Sequence, residues 1–89
     1  MTASTWYLYM IECHKGQLYT GITTDIDRRF KEHQAGGIKA AKFLRGKGPL
    51  KLVYRETVGD RSLALRRELD IKRLSRSAKL ALIAQTALQ

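Results

Sequence analysis

The spacing of hydrophobic and polar positions divides the chain into strand-like and helix-like segments. In Trp6–Glu12, aromatic and aliphatic side chains occupy both alternating faces, which is typical of a strand covered on both sides. A polar turn containing glycine, residues 14–17, separates it from a second strand-like run, Leu18–Thr23. Because so short a turn joins two such runs, the pattern predicts an antiparallel β-hairpin.

The rest of the chain has helical periodicity that is interrupted by one further strand. Thr24 and Asp25 have side chains suited to capping a helix, and so does Ser75. Glycines and one proline mark the breaks between the segments. The predicted elements are a helix over 25–34, a short lysine-rich helix over 38–45, a strand over 50–56, and helices over 59–74 and 75–87.

The order of these elements, β-β-α-(α)-β-α-α, indicates one small α+β domain over residues 1–89. The hairpin strands run antiparallel, and the third strand is expected to join them in a three-stranded antiparallel sheet flanked by helices on both faces. Simple alternation along that third strand places Leu50, Leu52 and Tyr54 on one face and Val53 on the other.

Charge is divided unevenly along the chain. Residues 1–34 are neutral overall, whereas residues 35–89 carry the whole net charge of +9. This balance favours a polyanionic partner, and nucleic acid is the usual one, because clustered Lys and Arg displace counterions from phosphates. A basic protein without such a partner and a protein that binds an anionic membrane surface are the alternatives.

Composition also excludes several classes of protein. The longest apolar stretches, Trp6–Ile11 and Ala81–Ala84, are too short to cross a bilayer, so we expect no membrane partner. Cys13 is the only cysteine, which excludes an internal disulfide and a zinc site made of several cysteines. A reducing, cytoplasmic setting fits this composition. The sequence also lacks a Walker loop and a dinucleotide-binding fingerprint.

One acidic residue falls where a helical wheel expects an apolar one. At about 100° per residue, Glu68 lies roughly 140° from Leu63, near the middle of the arc of aliphatic side chains. An unpaired buried carboxylate is costly, so Glu68 must be ion-paired, protonated or bound to a cation. An ion pair with Lys72 or another base, and a metal-binding or acid–base role in a cleft, are both open at this point.

A second polar group lies on the first predicted helix. Arg29 and His33 are four positions apart and share a face, where His33 also lies beside Ile26 and Phe30. The planar guanidinium of Arg29 suits phosphate oxygens, and an ion pair with Asp25 is its structural alternative. His33 is either a buried structural histidine or part of a catalytic site.

Tyrosines and lysines complete the candidate chemistry. The hairpin strands carry three tyrosines, Tyr7, Tyr9 and Tyr19. Each alone is an ordinary strand residue, but near an Arg/His face and a carboxylate they predict a site for a phosphodiester. The candidate phosphate-contacting residues of the basic part are Lys39, Lys42, Arg45 and Lys47.

Together these motifs resemble the GIY-YIG endonuclease superfamily, and most of all its small stand-alone bacterial members. The resemblance extends from Trp6 to about Ile83. The matching pieces are Tyr7-Leu8-Tyr9 in place of GIY, Tyr19-Thr20-Gly21 in place of YIG, Arg29 and His33 in the family's Arg-x-x-x-His helix, and Glu68 in place of its metal-binding glutamate.

The resemblance implies divalent-metal-dependent hydrolysis of DNA, with DNA repair or processing as one setting, and it leaves RNA open as a substrate. Glu68 would hold one Mg²⁺ or Mn²⁺ ion, and Arg29 would contact the scissile phosphate. Tyr9 would accept the proton of the attacking water, with help from Tyr19 and His33. The choice between Tyr9 and His33 as the general base stays open.

Two departures from the family pattern bear on activity. Many members carry an asparagine after the glutamate, whereas this chain contains none. No added DNA-binding domain is expected, so sequence specificity should be low. A non-catalytic nucleic-acid-binding module that keeps the fold is therefore the main alternative to a nuclease, and a protein-interaction domain is the third.

Overall fold

The sheet has the topology that the sequence predicts. The computed structural model describes residues 4–87 of the chain. Its strands are β1 (Trp6–Glu12), β2 (Leu18–Thr23) and β3 (Lys51–Gly59), in the order β2-β1-β3 with both pairings antiparallel. The helices are α1 (Ile26–Ala35), α2 (Arg61–Lys72) and α3 (Arg76–Ala87), with a 3₁₀ turn at Lys42–Leu44. The predicted α+β class is confirmed.

Helices cover both faces of the central strand β1. On the α1 side, Tyr9 and Ile11 pack in a cluster with Ile26. On the side of α2 and α3, Leu8 and Met10 pack in a second cluster that includes a residue of α2. A strand covered in this way has apolar side chains on both faces, which is why its sequence shows no polar face.

Each helix begins at a residue whose side chain satisfies a free backbone N–H group. The Asp25 carboxylate accepts from the Arg28 amide, and the Asp60 carboxylate accepts from the Leu63 amide. Ser75 Oγ accepts from the third amide along the chain, 3.1 Å away, as its sequence context predicts. Among residues 4–87, no helix is long and apolar enough to cross a membrane.

The short helix predicted over 38–45 is wrong. Only Lys42–Leu44 forms a 3₁₀ turn there. Gly36 ends α1 in the left-handed conformation, with a φ of 71°, so the chain leaves the helix direction at that point. The carbonyls of Ile38 and Lys39 then accept hydrogen bonds from arginine side chains rather than from helical amides.

The simple alternation predicted for β3 is also wrong. Leu52 packs on the α1 side of the sheet, but Tyr54 packs on the opposite side. The pairing steps from Ile11↔Leu52 to Met10↔Tyr54, so Val53 has no partner in the register and forms an irregularity. One extra residue of this kind shifts every following side chain to the other face. The strand also continues three residues beyond its predicted end.

Candidate active site

The candidate site is built around a hydrogen bond between Tyr9 in β1 and His33 in α1. Tyr9 Oη lies 2.8 Å from His33 Nε2, and the two side chains are only 2% and 1% exposed. Gly21 lies opposite Tyr9 in the sheet register. A Cβ atom at Gly21 would stand 2.6 Å from Tyr9 Cζ, so this glycine provides the space that the phenol ring occupies.

A second hydrogen bond determines which nitrogen of His33 carries the proton. The backbone N–H of Ala41 donates to His33 Nδ1, at 3.2 Å. The proton of the neutral imidazole is therefore on Nε2, and Nε2–H donates to Tyr9 Oη. Burial, with the positive charge of Arg29, lowers the pKa of His33 to about 4, so the ring is neutral at neutral pH.

Tyr9 itself is held in its protonated form. Burial and the neighbouring Tyr19 raise its pKa above the ordinary tyrosine value, while the charge of Arg29 acts in the opposite direction. Tyr19 stands edge-on to His33, with a ring-centre distance of 5.5 Å. Its other neighbour is Phe43, whose ring is stacked against it at 6.0 Å. The three rings of Tyr9, Tyr19 and His33 thus form one packed group.

Arg29 lies on the same helix as His33 but reaches toward the surface. Its Nη1 atom donates to Glu32 Oε1 at 3.0 Å and to the carbonyl of Lys39 at 2.5 Å. The ion pair with Asp25 that the sequence left open does not form, because Asp25 caps α1. Burial acts to lower the pKa of Arg29, but its hydrogen bond with Glu32 and the neighbouring Tyr9 outweigh that effect and raise it.

Glu68 forms the ion pair that was one of its two sequence-based alternatives. Its Oε2 atom lies 3.5 Å from Lys72 Nζ, and its side chain is 21% exposed. The wheel placed it inside an apolar arc, but Leu65 and Leu69 are themselves 42% and 48% exposed. Glu68 is therefore partly exposed rather than enclosed, and its pair with Lys72 is open to solvent.

A cleft of 240 Å³ lies against the edge strand β2. Its lining residues are Leu18, Tyr19, Thr20, Phe43, Lys72 and Lys79. Tyr19 belongs to the ring cluster, and Lys72 is the ion-pair partner of Glu68. The fold therefore gathers Tyr9, Tyr19, Arg29 and His33 in one cluster, and Glu68 is related to that cluster through Lys72, which lines the same cleft as Tyr19.

The four candidate phosphate-contacting residues lie in the segment between α1 and β3. Lys39 and Lys42 are exposed. Arg45 is also exposed, but its Nη2 atom donates to the carbonyl of Ile38 at 3.1 Å. Lys47 Nζ lies 3.5 Å above the ring centre of Phe43. Two of the four side chains thus brace this segment as well as adding positive charge to it.

Glu68, the candidate metal-binding residue of the sequence, has Lys72 as its ion-pair partner. No group of three His, Cys, Asp or Glu residues suited to a metal occurs within residues 4–87. A single carboxylate is still compatible with Mg²⁺, which usually keeps several waters and takes substrate phosphate oxygens as further ligands. Binding there would require Glu68 to part from Lys72.

Sequence reasoning missed several residues of this site. Phe43 and Lys79 line the cleft, and neither was among the candidate site residues. The Ala41 amide fixes the proton on His33, and a backbone group carries no sequence signal at all. Lys72 was named only as a partner for Glu68, whereas it also lines the cleft beside Tyr19.

Comparison with known proteins finds a matching family and several relatives. The GIY-YIG catalytic domain family matches residues 5–81. UPF0213 protein YhbQ of Escherichia coli K12 is 54% identical over 82 residues, covering 92% of this chain and 80% of the relative. UPF0213 protein SG0387 of Sodalis glossinidius is 56% identical over 79 residues, covering 89% and 72%.

Two solution NMR structures are similar to this chain. UPF0213 protein BH0048 from Bacillus halodurans gives a TM-score of 0.58 at 43% identity, covering 91% of this chain and 84% of its own. Protein EF2693 from E. faecalis gives a TM-score of 0.64 at 30% identity, covering 100% and 94%. The sequence match spans most of the fold and includes all the site residues described above, so this chain belongs to the GIY-YIG family, whose catalytic domain is of the nuclease type.

Proposed function

We propose that the chain is a divalent-metal-dependent endonuclease that hydrolyses DNA phosphodiester bonds with low sequence specificity. The observation that carries this proposal is the hydrogen bond of Tyr9 with a neutral, donating His33, set beside Arg29 in a nuclease-type family. Processing or repair of DNA in the cytoplasm is the setting that fits such an activity.

Arg29 and Glu68 have the charges that phosphodiester cleavage requires. Arg29 is partly exposed and permanently charged, so it can donate to the scissile phosphate as negative charge develops there. Glu68 would hold a single Mg²⁺ or Mn²⁺ ion. Such an ion supplies stabilisation of negative charge on the phosphate and the leaving oxygen. Lys72, released from Glu68, remains in the cleft as a further cation for the phosphate backbone.

Tyr9 is the proposed proton acceptor, and His33 is proposed to position it. His33 already carries a proton on Nε2, and its Nδ1 lone pair is occupied by the Ala41 amide, so neither nitrogen can take another proton without losing a hydrogen bond. Tyr9 must first lose its phenolic proton to solvent, and the same Nε2–H group stabilises the phenolate that then accepts the proton of the attacking water. Arg29 acts in the same direction, because its charge lowers the pKa of Tyr9.

A plasmid-nicking assay with Mg²⁺ or Mn²⁺ tests the proposal. We expect metal-dependent nicking that is lost in Glu68→Gln and in Arg29→Ala. Matched controls are Asp70→Asn on the same helix and Arg28→Ala beside Arg29, because both of these side chains are exposed. Cleavage that persists in both site variants, or that does not need a metal, would contradict the proposal.

A non-catalytic nucleic-acid-binding module is the second candidate. This candidate is favoured because both charged groups that a nuclease would need are already in ion pairs, Glu68 with Lys72 and Arg29 with Glu32. It predicts salt-dependent DNA binding that survives Glu68→Gln, with no cleavage in the presence of either metal. The nicking assay therefore distinguishes the two candidates.

A further inference from the structure

Ile38 is the most exposed large hydrophobic side chain among residues 4–87. It is 94% exposed, whereas the other exposed apolar side chains do not exceed 48%. A single exposed isoleucine is common on protein surfaces and needs no special explanation. What distinguishes Ile38 is the way its backbone is held, and where that backbone lies relative to the candidate active site.

Three hydrogen bonds fix the turn that carries Ile38. The Ala40 amide donates to the Gly37 carbonyl at 3.0 Å, which places Ile38 and Lys39 at the tip of a β-turn. Arg45 Nη2 donates to the carbonyl of Ile38. Arg29 Nη1 donates to the carbonyl of Lys39. The isoleucine is thus presented to solvent on a braced turn, and one brace is the arginine proposed to contact the scissile phosphate.

The charge around this turn indicates which class of partner it binds. Lys39 lies beside Ile38 at the tip, and Arg45 lies behind it, and both belong to residues 35–89, which carry the whole net charge of +9. A lone aliphatic side chain among cations suits a base step flanked by two phosphate backbones. A membrane or a protein partner would instead need a continuous apolar surface, and one side chain does not provide it.

We propose that Ile38 is a wedge that inserts at a base step whose stacking is already weakened, as at a gap, nick, bulge or branch. This inference rests on the proposed function and names its substrate class. An intact duplex must be unstacked before an aliphatic side chain can enter, whereas an interrupted duplex has little stacking left to lose. Because Arg29 is bonded to the same turn, insertion would place the adjacent phosphate at the active site.

Equilibrium binding in EDTA tests the wedge without any cleavage. The probes are an intact 20-base-pair duplex and the same duplex with a one-nucleotide gap, next to which a 2-aminopurine base reports unstacking. We expect the wild-type chain to bind the gapped duplex about tenfold more tightly, because burying an isoleucine side chain is worth about that factor. Its binding should also increase the 2-aminopurine fluorescence.

The variants are chosen so that folding cannot explain the result. Ile38→Ser removes the wedge from a side chain that packs against almost nothing, so the melting temperature should not change. It should bind both duplexes equally, with unchanged affinity for the intact one and no fluorescence increase. Ile38→Phe should keep the preference. Leu63→Ser, at a 48% exposed position on α2, is the matched control and should behave like the wild type.

The wedge is overturned if Ile38→Ser keeps the preference for gapped DNA, if it weakens binding to both duplexes equally, or if the wild-type chain shows no preference or no binding. These outcomes are separate from failure of the nuclease proposal. A chain that nicks plasmid but shows no Ile38 effect refutes the wedge alone. A chain that prefers gapped DNA through Ile38 but never cleaves refutes the nuclease alone.

Discussion

Two buried tyrosines, one on each side of the sheet, have an arginine nearby, but their protons are used differently. The Tyr54 hydroxyl donates a hydrogen bond to Glu56 Oε1 at 2.6 Å, and Arg67 binds the same carboxylate through two hydrogen bonds of 2.8 and 2.9 Å. Tyr9 instead accepts a hydrogen bond from His33 Nε2–H. Its own phenolic proton is therefore not used in that hydrogen bond.

This difference separates a structural cluster from the cluster proposed to be catalytic. Burial alone would raise the pKa of Glu56, but the hydrogen bonds from Arg67 and Tyr54 outweigh burial and lower the pKa. Tyr54, Glu56 and Arg67 thus form an ion-pair cluster in which each side chain bonds another member. In the Tyr9 cluster the hydrogen-bond donor is a neutral imidazole. The nearby positive charge of Arg29 stabilises negative charge on the phenol oxygen. The same residue types thus stabilise the fold on one side and could support proton transfer on the other.

The largest expected effect is on the rate of cleavage, and only one of the two tyrosine substitutions should cause it. Tyr9→Phe removes the proposed proton acceptor, so we expect the single-turnover cleavage rate to fall about 10²- to 10⁴-fold. Tyr54→Phe removes one hydrogen bond to a carboxylate, so it should lower the free energy of unfolding by about 1.5–3 kcal/mol and leave cleavage nearly unchanged. Quench-flow assays and urea unfolding measure the two quantities. Equal loss of activity in both variants would contradict the distinction.

A second prediction concerns how stability depends on pH. The pKa of His33 is about 4 in the native state and near 6.5 when the chain is unfolded, so between these values the unfolded chain binds a proton that the native state does not. The stability that His33 contributes is therefore complete above pH 6.5 and is lost as the pH falls toward 4. The loss should amount to roughly 3 kcal/mol.

Thermal or urea unfolding across this pH range checks the effect. Carboxylates also titrate at its acidic end, so the informative quantity is the difference between variants. His33→Gln should be less stable at pH 7 and should have a flatter dependence between pH 6.5 and 4.5. His14→Gln is the matched control, because that histidine is exposed, and it should keep the wild-type slope. An identical slope in all three proteins would show that His33 titrates normally.

A third prediction tests the space that holds Tyr9. In Gly21→Ala the new Cβ would collide with the phenol ring, so we expect a loss of about 1–3 kcal/mol in the free energy of unfolding. Cleavage should fall as well, because Tyr9 must move. Gly37→Ala is the control, because a Cβ there meets nothing within 4 Å. If the Gly21→Ala variant had wild-type stability, the Tyr9 ring would have to be able to shift away from the new Cβ without loss of stability.

The sequence predicted those parts of the molecule that depend on local patterns. The hairpin and the capping residues Asp25 and Ser75 follow from short-range chemistry, and the structure confirms them. The bulge at Val53 was not predicted, because it depends on how β3 pairs with a strand forty residues earlier. The ion-pair partner of Arg29 was missed for a local reason: the sequence offered Asp25, but Asp25 caps α1, and Arg29 pairs with Glu32 three residues along the helix.

The smallest predicted effect separates the basic side chains that grip DNA from those that brace the protein. Lys42 is exposed, so Lys42→Ala should reduce the slope of log K against log salt by about 1 on duplex DNA, uniformly across sequences. Arg66→Ala removes an equal charge beside Val58 and Asp70, on the side of the sheet that carries the Tyr54 cluster, and should leave the slope unchanged.

Arg45→Ala should lower the slope and also abolish the preference for gapped DNA, because it releases the Ile38 carbonyl. Fluorescence anisotropy titrations at several salt concentrations measure all three. If Arg66→Ala changed the slope as much as Lys42→Ala, the DNA would be held by overall charge, and the two sides of the sheet would not differ in binding.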